Sequence, residues 1–207
     1  MGRIVLITGG ARSGKSRFAE GLAAAHGDAV RYVATAQALD AEMGERIARH
    51  RARRPAAWTT LEAPSDLVAA LEGMSDAGAV LVDCLSLWAS NRLLALGDDE
   101  TSGWWESVAA LETALTAELR AAIAHARRQR WDLLLVTNET GFGVVPATRL
   151  GRAFRDLLGR LNQAAAADAD AVYLVVAGLA LEMKALAVSS MADADPPRLS
   201  SRDVDAR

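Results

Sequence analysis

The run Gly9-Gly10-Ala11-Arg12-Ser13-Gly14-Lys15-Ser16 constrains this chain more than any other stretch. It fits the pattern G-x-x-x-x-G-K-[ST]. It is preceded by the apolar, β-branched segment Arg3 to Thr8, which reads as a buried strand, and followed by Arg17 to Ala25, which reads as a helix. Strand, glycine-rich loop and helix in that order turn a pattern match into a physical expectation. Glycines let backbone N–H groups curl around phosphate oxygens with no Cβ in the way. The positive end of the following helix faces the same anion. In such a loop Lys15 reaches the β- and γ-phosphates, and the Ser16 hydroxyl ligates Mg²⁺.

The rest of the chain supplies the sheet that such a loop requires. Strand-like runs lie at Arg31 to Thr35, Ala79 to Asp83, Leu133 to Thr137 and Ala171 to Val176, and Trp58 to Glu62 reads as an edge strand. Helical patterns fill the intervals. They run over Asp40 to Arg53, ended by Pro55, over Ser65 to Glu72 with Ser65 as the cap, over Trp104 to Arg130, and over Thr148 to Ala167. Fully apolar strands alternating with helices predict an α/β fold of the P-loop NTPase, RecA-like type: a mostly parallel sheet with helices on both faces. Residues 1–186 form one domain on this reading, and 187–207, with Pro196-Pro197 and a mostly polar end, form a flexible tail.

Composition narrows the partners. The net charge of −3 carries no global field that favours nucleic acid, so any anion site is local. The longest apolar run, Ala171 to Leu181, is too short to span a bilayer, so no membrane insertion is expected. Cys84 is the single cysteine, which excludes an intramolecular disulfide, and it reads as a small buried thiol. The N-terminus enters the strand and loop with no signal-peptide pattern. Together these lead to the expectation of a cytoplasmic protein.

Three further constellations carry chemistry. Asp83 closes an apolar strand, and in a parallel sheet it therefore shares the ligand rim with Lys15, as the Mg²⁺-facing acid of P-loop enzymes does; the bland alternative is an acid capping the next turn. The segment Arg46 to Pro55 places five arginines around His50, with Arg46, His50 and Arg53 on one helical face. It is either a solvated basic helix end or an anion site whose cations favour a neutral, nucleophilic imidazole. His26 and His125 have no such setting. The segment Thr137 to Pro146 follows a buried strand and combines Asn138 and Glu139 with two glycines and a proline, a shaped loop on the rim. Beyond it, Arg149, Arg152, Arg155 and Arg160 are either ligand-facing or paired on a surface helix, as with Asp156; spacing leaves both open.

Taken together these stretches resemble the bifunctional adenosylcobinamide kinase / adenosylcobinamide-phosphate guanylyltransferase family. The residues that carry the resemblance are Thr8 to Ser16, Tyr32 to Thr35, Arg46 to Pro55 with Trp58, Thr60 and Glu62, Asp83 to Trp88 with Asn91, and Val136 to Asn162-Gln163. The resemblance runs from Ile4 to about Lys184. It implies two reactions: phosphorylation of adenosylcobinamide by a nucleoside triphosphate, ATP or GTP, and transfer of GMP from GTP to adenosylcobinamide phosphate through a guanylyl-histidine. His50 matches the histidine. The resemblance further implies Lys15 as the second catalytic residue. It assigns nucleotide binding to Gly9, Gly10, Ala11, Arg12, Ser13, Gly14, Lys15 and Ser16, to Ala34, Thr35 and Ala36, to Arg51, Ala52, Arg53 and Arg54, and to Glu62 and Asp83. It also implies that Ser16 and Asp83 hold Mg²⁺ and that the assembly is a homotrimer. Some relatives carry two adjacent histidines where this chain has Arg49-His50. Two other readings stand beside it: a P-loop kinase of another small alcohol, which explains the loop and Asp83 but leaves His50 without a role, and a non-catalytic nucleotide switch, which would bind nucleotide tightly, hydrolyse it slowly and show no dependence on cobinamide.

Overall fold

The computed structural model describes residues 2–38, 41–74, 77–97 and 103–187, except for the side chains of Glu42 and Arg46. Five strands have apolar cores and bury both faces: β1 (Ile4–Thr8), β2 (Val30–Ala34), β4 (Ala79–Asp83), β5 (Asp132–Val136) and β6 (Ala171–Val176). With β3 (Thr59–Glu62) and β7 (Leu179–Glu182) they form one seven-stranded sheet in the order β3-β2-β4-β5-β1-β6-β7. Every pairing is parallel except β6 with β7.

Alternation along the strands separates two cores. Ile4 and Leu6 join Val80, Val82, Leu133 and Leu135 on one face, while Val5 and Ile7 join Tyr32, Leu81, Leu134 and Val136 on the other. Helices α3 (Leu67–Glu72), α4 (Leu85–Leu94), α5 (Trp104–Gln129) and α6 (Arg149–Asp168) cover the first face. On α5, Val108, Leu111, Leu115, Leu119 and Ile123 make the buried stripe that their spacing predicts. Helix α1 (Lys15–Ala23) covers the second face through Ala19 and Ala23. Helix α2 (Ala41–Arg53) lies beyond β2, and Asp40, its predicted first residue, is outside the described residues, as is the predicted tail from residue 188 onward. This is the α/β, mostly parallel architecture with helices on both faces that the sequence predicts.

Two elements go beyond the sequence reading and one expectation changes. The strand expected over Ala171 to Val176 is β6 with those bounds, and β7, which the sequence reading leaves unassigned, follows it. Ala177 and Gly178, at φ 51° and 82°, turn the pair into an antiparallel hairpin that ends in the short helix α7 (Met183–Leu186). Helix α4 follows β4 at once, an element the sequence reading leaves unassigned. The cap of α3 is Asp66, whose carboxylate accepts from the Ala69 N–H at 2.9 Å, and not Ser65. The Ser65 carbonyl instead accepts from Trp88 Nε1 and Arg92 Nη1, tying α3 to α4.

Parallel register lines up the strand ends. Ala34 stands beside both Glu62 and Asp83, Asp83 beside Val136, and Val136 beside Ile7. The loops that follow these strands therefore open on one edge, the rim where ligands bind in open α/β sheets.

Candidate active site

The glycine-rich loop leaves β1 and curls back on itself. Ser13 N–H donates to the Gly10 carbonyl at 3.3 Å, and Phe18 N–H to Gly14 at 2.9 Å as α1 begins. Lys15 is buried and lays its Nζ 3.1 Å from the Gly10 carbonyl, so its ammonium is held against the loop. Gly9 is indispensable for a steric reason. At φ 151°, a Cβ there would lie 2.3 Å from the Val175 carbonyl oxygen of β6. The hairpin turn clasps the loop from the same side, with Gly178 N–H donating to the Ser13 carbonyl at 2.8 Å. The Ser13 hydroxyl is buried with no hydrogen-bond partner among the described residues, as expected of a group that awaits an anion.

Two cavities meet at this loop. One, of about 400 Å³, is walled by Arg12 to Arg17 and by Arg49, His50 and Arg53 of α2. The other, of about 550 Å³, runs under the strand ends past Tyr32, Ala34, Ala36, Arg54, Glu62, Asp83 and Asn138. Lys15, Ser16 and His50 line both. His50 thus stands at the junction between a strongly cationic chamber and a mixed one.

The basic segment is organised by two acids. Arg53 Nη2 lies 3.4 Å from His50 Nδ1 and 3.6 Å from Glu20 Oε1 of α1. Burial pushes the Glu20 carboxyl up, against the opposing pull of Arg53. Arg54 lays its guanidinium 3.3 Å from the centre of the Tyr32 ring and donates to Thr60 Oγ1 at 3.1 Å. Tyr32 in turn donates its hydroxyl to Asp83 Oδ2 at 2.8 Å. Burial first, and the Asp83 charge second, hold the phenol in its protonated, donating form. Burial likewise pushes the Cys84 thiol up, so Cys84 packs as an inert neighbour of the site.

Of the residues expected at the site, Lys15, Ser16, Ala34, Ala36, His50, Arg53, Arg54, Glu62, Asp83 and Arg12 to Gly14 line a cavity. Gly9, Gly10 and Ala11 shape the loop without lining either one. Thr35 does not line them. It is fully buried, and its hydroxyl accepts from Cys84 N–H at 2.7 Å and donates to the Cys84 carbonyl at 2.8 Å, fastening the end of β4. Arg51 and Ala52 are exposed and line neither cavity, because on a helix they point a quarter-turn or more away from His50. The arginines of α6 resolve toward structural pairing. Arg155 bonds Asp156, Arg160 bonds Glu112 of α5, and Arg152 holds the carbonyls of Pro146 and Ala147. Tyr32 and Glu20 join the site although the sequence assigns them no role, and Arg49, read only as one of five arginines around His50, lines the cationic chamber. Tyr32 had a signal in strand parity, since it shares a sheet face with Asp83 two register positions on.

The rim loop after β5 is held by a chain of side-chain bonds. Thr137 Oγ1 donates to Asn162 Oδ1 at 2.7 Å, Asn162 Nδ2 to the Asn138 carbonyl at 2.9 Å, and Asn138 Nδ2 to Ser86 Oγ at 2.9 Å. For a metal, the donor chemistry is hard oxygen: the Ser16 hydroxyl and the Asp83 carboxylate face the same cavity. No cluster of three or more His, Cys, Asp or Glu that could hold a metal exists among the described residues. One carboxylate and one hydroxyl suit an ion that completes its shell with water and substrate phosphate, as Mg²⁺ does.

Residues 5–183 match the CobU family, cobinamide kinase / cobinamide phosphate guanyltransferase. The chain belongs to this family. Its relatives align nearly end to end. The bifunctional adenosylcobalamin biosynthesis protein CobP of Pseudomonas aeruginosa is 51% identical over 180 residues, 86% of this chain and 96% of that protein. The bifunctional adenosylcobalamin biosynthesis protein CobU of Salmonella typhimurium is 45% identical over 184 residues, 87% of this chain and 99% of that protein. Its Escherichia coli namesake is 43% identical with the same coverage. Among solved structures, an ATPase domain superimposes with a TM-score of 0.44 at 14% identity, covering 83% of this chain and 68% of that one. No helix among the described residues of this CobU-family chain is long and apolar enough to cross a membrane.

Proposed function

We propose that this enzyme first phosphorylates the aminopropanol hydroxyl of adenosylcobinamide, with ATP or GTP as donor. It then joins GMP from GTP to that phosphate, giving adenosyl-GDP-cobinamide. The observation that carries this reading is the junction: one lysine, one serine and one histidine serve two cavities. In the kinase step the substrate hydroxyl oxygen attacks the γ-phosphorus, the bond to the β-phosphate oxygen breaks, and the nucleoside diphosphate departs. Lys15 and the loop N–H groups neutralise charge on the transferring and leaving phosphates.

In the second step a His50 ring nitrogen attacks the α-phosphorus of GTP and pyrophosphate leaves. A phosphate oxygen of adenosylcobinamide phosphate then attacks the same phosphorus and the P–N bond breaks. An imidazole is a competent nucleophile at phosphorus, and its phosphoramidate is labile enough to pass GMP on. Arg49 and Arg53 flank His50 in the cationic chamber, which supports their role in holding the triphosphate. Arg54 and Glu62 line the other side, where nucleotide contacts are proposed. Ser16 and Asp83 are the proposed Mg²⁺ ligands; when bound, the ion offsets phosphate charge and orients the oxygens. Lys15 and His50 are the proposed catalytic pair.

A cytoplasmic homotrimer belongs to the same proposal. Val176, Leu179 and Leu181 leave an apolar surface exposed on the outer hairpin, which supports association of copies. Light scattering of the purified protein tests the subunit count. The decisive chemical test incubates wild type and His50→Ala with adenosylcobinamide, GTP and Mg²⁺, with products resolved. His50→Ala is expected to accumulate adenosylcobinamide phosphate and to form no adenosyl-GDP-cobinamide. Wild type given α-labelled GTP is expected to carry acid-labile, base-stable label; an unlabelled protein defeats the covalent route.

A further inference from the structure

The residues at the strand ends form a ladder that crosses three neighbouring strands. Thr60 of β3 accepts from Arg54, Arg54 stacks on the ring of Tyr32 in β2, and the Tyr32 hydroxyl bonds Asp83 of β4. The register explains the geometry. Tyr32 pairs with Thr60 on one side and lies two positions before the Ala34–Asp83 pair on the other. Tyr32 is only 2% exposed, so its ring has one orientation and its hydroxyl one direction. Arg54 Nε is buried with no hydrogen-bond partner among the described residues, and the guanidinium borders the larger cavity. A cation that borders a cavity while held by a ring face and one side-chain bond is placed to meet an anionic ligand.

We propose that Tyr32 is a positioning residue that couples the divalent-ion side of the nucleotide site to its arginine side, its hydroxyl orienting Asp83 and its ring orienting Arg54. This rests on the reading of the site as one that binds a nucleotide with Mg²⁺. The two halves of the side chain have separable roles. The hydroxyl fixes one carboxylate oxygen of Asp83, which lines the larger cavity together with Ser16. The ring face holds the guanidinium of Arg54 flat at the edge of the larger cavity. The Arg54–Thr60 bond fixes one nitrogen only, which leaves the plane of the guanidinium to the ring.

Separability makes the test sharp. Nucleotide binding is measured by titration calorimetry with GTP analogues, in excess Mg²⁺ and in EDTA, for wild type, Tyr32→Phe and Tyr32→Leu. Tyr32→Phe keeps the ring and loses the hydroxyl. It is expected to lower the Mg²⁺-dependent gain in affinity by about tenfold, the worth of one hydrogen bond to a charged group, and to leave affinity in EDTA unchanged. Tyr32→Leu is expected to lose the same Mg²⁺ gain and also about threefold or more in EDTA, because the stacked arginine is released. A merely structural tyrosine lowers thermal stability in both variants but leaves the Mg²⁺-to-EDTA ratio at the wild-type value, and that result overturns the proposal. Equal EDTA affinities in the Phe and Leu variants overturn the arginine half. Wild type that binds nucleotide with no Mg²⁺ gain refutes the underlying site reading itself, and the coupling falls with it.

Discussion

Asn162 bridges α6 and the rim loop, and replacing it by leucine isolates that bridge. The side chain is 8% exposed and has the branching and heavy-atom count of leucine, so the change broadly keeps its shape and removes the bonds. Two groups lose their partner: the Thr137 hydroxyl, fully buried, and the Asn138 carbonyl. Each buried polar group left unmet costs about 1–3 kcal/mol. Leucine recovers part of this through apolar burial, which leaves a net loss of about 3 kcal/mol. For a domain of this size that is a fall in Tm of roughly 6–12 °C. Calorimetric melting of Asn162→Leu measures it directly. Thr137→Val removes the orphaned hydroxyl, so Thr137→Val/Asn162→Leu is expected to melt above the sum of the single losses, with a coupling of about 1 kcal/mol or more. Both transfers are expected to slow in Asn162→Leu, because Asn138 lines the larger cavity. A Tm drop under about 2 °C, or strict additivity in the double variant, refutes the reasoning.

Other consequences are as direct. Burial raises the Glu20 carboxyl above its ordinary 4.5, so the folded state resists its ionisation and loses stability as pH climbs from 4.5 through the raised value. Glu20→Gln is therefore expected to melt higher than wild type at neutral pH, with the difference shrinking toward zero below about pH 4.5; a pH-independent difference in melting curves contradicts this. Gly9→Ala drives a Cβ into the Val175 carbonyl and is expected to lower nucleotide affinity at least about tenfold and Tm with it, whereas Gly10→Ala, with nothing within 4 Å, is expected to keep the wild-type Tm. Chelation by EDTA is expected to stop both transfers and added Mg²⁺ to restore them, read as product formed in the coupled assay.

Elements whose physics is local were legible in the chain itself. The strand–loop–helix at the start was visible because glycine spacing and the apolar run before it each demand the other. The five inner strands were visible because burial on both faces leaves unbroken apolar runs. The second strand of the hairpin was hidden by its turn: Ala177-Gly178 carries none of the Asn-Gly or Asp-Gly chemistry that marks a tight reversal, so β7 went unassigned beside a correctly placed β6. Helix α4 was hidden because Cys84 occupies the cap position without a capping bond. In the candidate site, His50 stood out through the arginines around it. Arg51 and Ala52 read as equals of Arg53 because a run of basic residues conceals which side of the helix faces inward. The Thr60–Arg54–Tyr32–Asp83 ladder was out of reach of any local pattern, since it exists only once three strands are in register.

The place of β1 in the sheet also has a consequence for biosynthesis. This strand is made before the other six of the sheet, yet its two neighbours are β5, which begins at Asp132, and β6, which begins at Ala171. The clasp on the glycine-rich loop comes later still, at Gly178. A nascent chain therefore carries β1 without its partners until β5 and β6 have been made, and contacts of such long sequence separation form slowly. Nucleotide cannot be gripped by a partial chain. The loop is complete only once Gly178 has been made, and until then β1 is a natural client for a chaperone.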